Sequence, residues 1–84
     1  MKIQKTSING VILIHPTIHK DKRGYFFESF NENEFAELTK LKLSFVQDNQ
    51  SCSSKGILRG LHFQKPPYAQ SKLVRVIKGS VLDV

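Results

Sequence analysis

The chain has 84 residues and a formal charge of +6, from 13 Lys and Arg against 7 Asp and Glu, so it is one domain at most, with a small core that needs assistance to be stable. No apolar run approaches membrane-spanning length and nothing near the N-terminus has the order of a signal peptide, which argues against a membrane or secretory reading. Cys52 is alone, so no internal disulfide is available, and the expectation is a soluble, cytoplasmic protein.

A charge of +6 could suit nucleic acid, anionic lipid or a phosphorylated small molecule. The lysines, however, are dispersed near proposed ends and turns, the ordinary solvated pattern, with no arginine-rich stripe, and no nucleic acid and no membrane partner is expected. Met1 to Asn9 is mixed in character. Gly10 to His15 then gives a compact strand closed by Pro16. His15 and His19 stand four apart, a metal-binding spacing on a helix, but Pro16 lies between them and the flanking run is β-like, so a metal pair is not expected.

Asp21-Lys22-Arg23-Gly24 reads as a turn leading into an aromatic strand, Tyr25 to Phe30. Alternation puts Phe26, Glu28 and Phe30 on one face and Tyr25, Phe27 and Ser29 on the other. Asn31 followed by Glu34 resembles a capping box, and Phe35, Leu38 and Leu41 recur at helical spacing, which predicts one short amphipathic packing helix. Leu43 to Asn49 returns to strand character, with Phe45, Gln47 and Asn49 on one parity. Amides two apart on one face suit a polar ligand, although an exposed strand end explains them equally well.

Most of the chemistry is concentrated in the next stretch. Ile57 to Gln64 is a mostly apolar run carrying Arg59 and His62, bounded by Gly56 and by Pro66-Pro67, and it reads as a short buried strand. After a proline-stiffened connection from Lys65 to Gln70, Lys72 to Ile77 reads as a second strand of β-branched residues. If the two are neighbours in one sheet, His62 and Lys72 could face one cavity. A neutral imidazole can remove a proton from carbon beside a carbonyl while an ammonium steadies the charge that develops on oxygen. A hydrogen-bonded core histidine and a strand-edge lysine explain the same residues. In a regular strand Arg59 and His62 would point to opposite faces; Gly60 could allow a bulge that re-aims Arg59, or Arg59 could serve another part of an extended site. Lys78-Gly79-Ser80 supplies a turn, and Val81 to Val84 starts a return strand that ends without a cap.

The words Asp21-Lys22-Arg23-Gly24-Tyr25-Phe26-Phe27-Glu28, Gln47-Asp48-Asn49-Gln50-Ser51, Arg59-Gly60-Leu61-His62-Phe63-Gln64 and Gln70-Ser71-Lys72-Leu73-Val74 resemble, in order and separation, the dTDP-4-dehydrorhamnose 3,5-epimerase family. The resemblance covers essentially the whole chain. It implies an all-β fold of the cupin or jelly-roll type, a double-stranded β-helix, incomplete here and with one short helix. Residues 1–84 would be the N-terminal part of a single epimerase-like cupin domain, since family members are considerably longer.

By the same resemblance the substrate is a dTDP-linked 4-keto-6-deoxy sugar, epimerised at C3 and C5 on the route to dTDP-L-rhamnose. His62 would be the catalytic base and Lys72 the stabiliser of the enolate. Arg23 and Arg59 would meet the diphosphate, with Phe26, Glu28, Gln47 and Asn49 around nucleotide and sugar. No cofactor is implied, because the ketone already acidifies the carbon, and no metal, because His62-Phe63-Gln64 offers one histidine where metal-binding cupins present two. A homodimer is implied. The family's donor tyrosine and the aspartate that partners its histidine have no match here, Tyr25 and Tyr68 included, so the 84 residues alone are expected to be inactive. Alternatives are a related single-carbon epimerase, a non-catalytic sugar-nucleotide-binding or dimerisation module, and a small basic nucleic-acid binder.

Overall fold

Two antiparallel hairpins and one helix make up the regular structure of the computed structural model, which describes all 84 residues. Strand β1 (Lys2–Lys5) pairs with β2 (Ile12–His15), with Ile3 opposite Ile14 and Lys5 opposite Ile12. Strand β3 (Ile18–Asp21) pairs with β4 (Gly24–Phe27), with His19 opposite Phe26 and Lys20 opposite Tyr25. Helix α1 spans Glu32–Thr39. The chain divides into two units, Met1–Asp48 and Asn49–Val84, and all five elements belong to the first.

Local chemistry explains the first hairpin. The Thr6 hydroxyl donates to the Val11 carbonyl at 2.8 Å and accepts from the Ile8 N–H at 3.2 Å, while Gly10 takes φ +84°, a conformation that costs a side chain but not glycine. Alternation along β2 leaves Ile12 and Ile14 half-buried and Leu13 and His15 exposed. The sequence predicts β2 but not β1, whose Lys2-Ile3-Gln4-Lys5 has no periodicity of its own and becomes a strand because β2 offers it a ladder.

The helix starts where the capping signal predicts. The Asn31 side chain accepts from the Glu34 N–H at 3.1 Å, satisfying one of the donors that the first turn leaves free. The reciprocal half of the capping box is replaced. Glu34 Oε1 lies 2.9 Å from the Met1 α-ammonium, which also donates to Thr17 Oγ1 at 3.0 Å, so the carboxylate ties the start of β1 to the helix. At the far end Lys40 turns left-handed, with φ +59°, and its N–H reaches the Ala36 carbonyl at 2.9 Å.

The core of this unit is aromatic. Phe35, 4% exposed, is the one buried residue, and its ring lies 5.7 Å from that of Phe30 and 5.9 Å from that of Phe45, with Phe30 and Phe45 edge to face at 5.4 Å. Burying one such ring contributes about 1.5–3 kcal/mol. Phe30 therefore leaves the strand parity assigned to it: β4 ends at Phe27, and the chain turns so that Phe30 joins the helix.

Four predicted strands do not form. Leu43 to Asn49, Ile57 to Gln64, Lys72 to Ile77 and Val81 to Val84 are irregular, and every residue from Val46 to Val84 is exposed. Their β-branched and apolar composition is strand-like, but a strand exists only with a hydrogen-bonded neighbour, and none of these segments finds one within the chain. The chain does turn at Pro66-Pro67, where the Tyr68 N–H reaches the Lys65 carbonyl at 2.8 Å, whereas the turn expected at Lys78-Gly79-Ser80 is a bend over residues 77–79. The overall architecture is thus short strands and one short helix, in two small antiparallel sheets. In the second unit Leu58, Leu61, Phe63 and Leu82 are exposed.

Candidate active site

In the first unit the candidate residues gather on the β3–β4 hairpin and the segment after it. Asp21 ends β3 and Gly24 opens β4, so Lys22 and Arg23 alone form the loop. Neither has a positive φ, whereas Gly24 has φ +132°, matching the type I preference for Asp at the first and Gly at the fourth position. Asp21 Oδ1 accepts from the Arg23 backbone N–H at 2.8 Å, and Oδ2 accepts from Arg23 Nη2 at 2.6 Å and Nε at 3.2 Å. The guanidinium, and after it the backbone N–H, hold the Asp21 carboxyl below its usual 3.8. Arg23 remains 91% exposed, with its other donors facing water.

Phe26 and Glu28 line one cleft of about 240 Å³, together with His19, Thr17, Glu34 and Met1. The shared face assigned to Phe26 and Glu28 is therefore present even though Glu28 lies just beyond the strand. Glu28 Oε2 accepts from Asn31 Nδ2 at 2.9 Å, which couples it to the helix cap. On the hairpin itself a more open depression of about 510 Å³ joins His19 and Phe26 with Lys20, Asp21, Arg23 and Tyr25. Tyr25 and Phe27, on the opposite parity, stack at 6.1 Å. The arrangement offers an exposed aromatic face beside fixed cationic donors, which suits a planar ring carrying an anionic group. His15, the other histidine of the pair, is held on β2 by Gln4 Oε1 at 3.0 Å.

Gln47 is exposed near the end of the first unit, and Asn49 is exposed at the start of the second. Arg59 is anchored within the second unit, its Nε donating to Ser53 Oγ at 2.9 Å and its Nη2 to the Cys52 carbonyl at 3.2 Å. His62 and Lys72 are exposed on irregular backbone, so the paired strands expected to hold them are absent and the question of opposite strand faces for Arg59 and His62 does not arise. Gly60 takes φ +110° next to His62, so any side chain there would strain the backbone.

The sequence model of the family described as dTDP-4-dehydrorhamnose 3,5-epimerase matches residues 5–84. The chain belongs to that family. Among curated relatives, the dTDP-4-dehydrorhamnose 3,5-epimerase of Shigella flexneri is 52% identical over 84 residues, covering 100% of this chain and 46% of the relative. That of Escherichia coli is 50% identical, with 100% and 45% covered. That of Methanothermobacter thermautotrophicus is 55% identical over 80 residues, 95% of this chain and 42% of the relative. This dTDP-4-dehydrorhamnose 3,5-epimerase family member thus spans about half the length of the curated relatives it matches. No solved structure matches it significantly.

The sequence reading of this family member overlooked Asp21 as a side chain with a role of its own. The signal was present in Asp21-Lys22-Arg23-Gly24, where an aspartate two residues before an arginine at a hairpin tip can accept from both its backbone and its guanidinium. His19, placed opposite Phe26 across the ladder, was read only as half of a metal pair. No signal marked it, because Ile18-His19-Lys20-Asp21 is too polar to register as a strand.

Proposed function

We propose that this chain serves an epimerase that inverts C3 and C5 of a dTDP-linked 4-keto-6-deoxy hexose, on the route to dTDP-L-rhamnose. The observation that carries the reading is the family match over residues 5–84, reinforced by 52% identity to a relative of that name. His62 is the base that takes the proton α to the ketone, and Lys72 stabilises the enolate oxygen; return of a proton on the opposite face inverts the carbon. Arg23 and Arg59 hold the diphosphate, and Phe26, Glu28, Gln47 and Asn49 surround the nucleotide and sugar. The exposed ring of Phe26 beside Arg23 on one hairpin supports that division of labour.

The complete enzyme on this reading is a cytoplasmic homodimer with a cupin fold, of which residues 1–84 form the N-terminal part. It needs no metal and no cofactor. The apolar side chains exposed from Ile57 to Val84 support burial against further chain or a second subunit.

The test uses a chimera in which residues 1–84 replace the matching segment of the Shigella flexneri relative. In deuterated water with the dTDP-linked 4-keto sugar, deuterium should enter at C3 and C5. His62→Ala should cut exchange by roughly 10² to 10⁴ while changing substrate affinity much less. Lys72→Ala should also suppress exchange, and the two losses should combine less than additively. Undiminished deuterium incorporation in the His62→Ala chimera would remove His62 from the role of base.

A further inference from the structure

The Asp21 carboxylate spans the two-residue tip of the β3–β4 hairpin and touches Arg23 at three points: the backbone N–H at 2.8 Å, Nη2 at 2.6 Å and Nε at 3.2 Å. One oxygen serves the backbone and the other serves the side chain. An arginine 91% exposed at a hairpin tip would ordinarily sample many rotamers, and each would have to be surrendered when an anion binds. Here Nε and one edge of Nη2 are already committed to Asp21. The outer edge, Nη1 with the second hydrogen of Nη2, is left as a fork for an incoming anion, in the open depression that Tyr25 and Phe26 also border.

We propose that Asp21 is the positioning residue for Arg23, holding its guanidinium in one pose so that the remaining donors meet the diphosphate of the substrate. This rests on the reading of Arg23 as a diphosphate ligand given above. Asp21 borders the same depression, but its carboxylate acts through Arg23 rather than as a ligand of the anion. It lowers the ordering cost of binding and sets the direction from which Arg23 approaches, beside the ring of Phe26. A carboxylate near an anion also repels it, and the two effects oppose one another. Both side chains are exposed, so water and salt screen the repulsion and the pairing alike. The pairing acts at contact, through hydrogen bonds of 2.6 and 3.2 Å to the guanidinium and 2.8 Å to the backbone, whereas the anion lies beyond it.

The substitution Asp21→Asn separates the two oxygens. Its carbonyl still accepts from the Arg23 backbone N–H and keeps the turn, but the amide nitrogen that replaces Oδ2 faces guanidinium donors and cannot accept from them. In the 84-residue chain, the Arg23 Nε–H resonance should be resolved and slow to exchange in the parent and lose that protection in Asp21→Asn, while the Lys20–Tyr25 cross-strand contacts persist. Asp21→Glu should restore part of the protection.

Binding of thymidine 5′-diphosphate is then measured on the chimera described above. Asp21→Asn should weaken it roughly three- to tenfold when Arg23 is present and should not weaken it in an Arg23→Ala background, because a positioning residue has nothing left to position. An equal change in both backgrounds would overturn the proposal and reduce Asp21 to a turn residue or a source of field, leaving the function assigned to Arg23 intact. Unchanged Nε–H protection in Asp21→Asn would overturn it as well. If Arg23→Ala alone leaves affinity unchanged, Arg23 is not a diphosphate ligand, and that part of the proposed function fails together with this inference.

Discussion

The rings of Phe35 and Phe45 meet at 5.9 Å with their planes 73° apart, an edge-to-face contact that Phe30 closes into a triangle. Phe35 comes from the helix, Phe30 from the segment before it, and Phe45 from the return beyond the C-cap, so one cluster fixes three stretches of chain. With Phe35 the one residue of the molecule that is buried overall, this cluster is the aromatic support of the first unit. Phe35→Ala should cost about 3–5 kcal/mol, as much as a marginal small domain possesses, and far-ultraviolet circular dichroism should show the helix lost. Phe45→Leu keeps most of the volume and should lower the melting temperature while retaining the helix signal. A Phe35→Ala chain with undiminished ellipticity would show that the cluster is not what holds α1.

The Asp21 carboxyl is held below its usual 3.8, first by the Arg23 guanidinium and then by the Arg23 backbone N–H. A depressed folded value means that the stabilisation is fully present above the unfolded pKa, about 3.9, and is lost as pH falls through the lower folded value. Near neutral pH the contribution is therefore constant. Followed by carbon-13 shifts, the Asp21 carboxyl should titrate below an ordinary aspartate and move up in Arg23→Ala. A titration that is the same in both chains would remove the Arg23 guanidinium as the cause and leave the backbone N–H.

Asn31 serves two partners, accepting from the Glu34 N–H at 3.1 Å and donating to Glu28 Oε2 at 2.9 Å. Asn31→Ala should cost about 1 kcal/mol as a lost N-cap. Asn31→Ser keeps the cap but is too short to hold Glu28, so it should retain nearly full stability while freeing the Glu28 carboxylate. Chemical denaturation separates the two substitutions, and equal losses would show that the Glu28 contact, rather than the cap, carries the stabilisation.

Backbone amides of residues 49–84 have few acceptors. The Ile57 N–H reaches the Ser54 carbonyl at 3.4 Å and the Tyr68 N–H the Lys65 carbonyl at 2.8 Å, but no ladder protects the rest. In dilute solution of this chain by itself, hydrogen exchange should be near the unprotected rate across most of the second unit and slowed on α1 and the two hairpins. Strong protection of residues 57–64 and 72–77 that rises with protein concentration would mean that association supplies the missing strand neighbours.

Signals that are local proved legible in the residues. Asp21-Lys22-Arg23-Gly24 makes its turn because Asp and Gly suit its ends, Asn31 caps the helix because its side chain reaches the Glu34 N–H, and Pro66-Pro67 interrupts the strand pattern because neither ring nitrogen can donate to a ladder. The four sequence words that carry the family resemblance are equally local, since they are a matter of identity and spacing.

Tertiary structure decided whatever required a partner. Lys2–Lys5 and Ile18–Asp21 are strands only because β2 and β4 lie beside them, and neither has a pattern that announces it. Ile57 to Gln64 and Lys72 to Ile77 have the pattern but no neighbour, so they remain irregular, and His62 and Lys72 with them. Glu34 bonds to the Met1 ammonium rather than to the cap residue, and Phe30 turns from the strand into the aromatic cluster, because a charge nearby in space and an apolar surface outweigh the weaker local alternative. Residue type and spacing settle what a segment can do through its own side chains and dihedrals; a β-ladder or a core is a property of two segments at once, and only the fold brings them together.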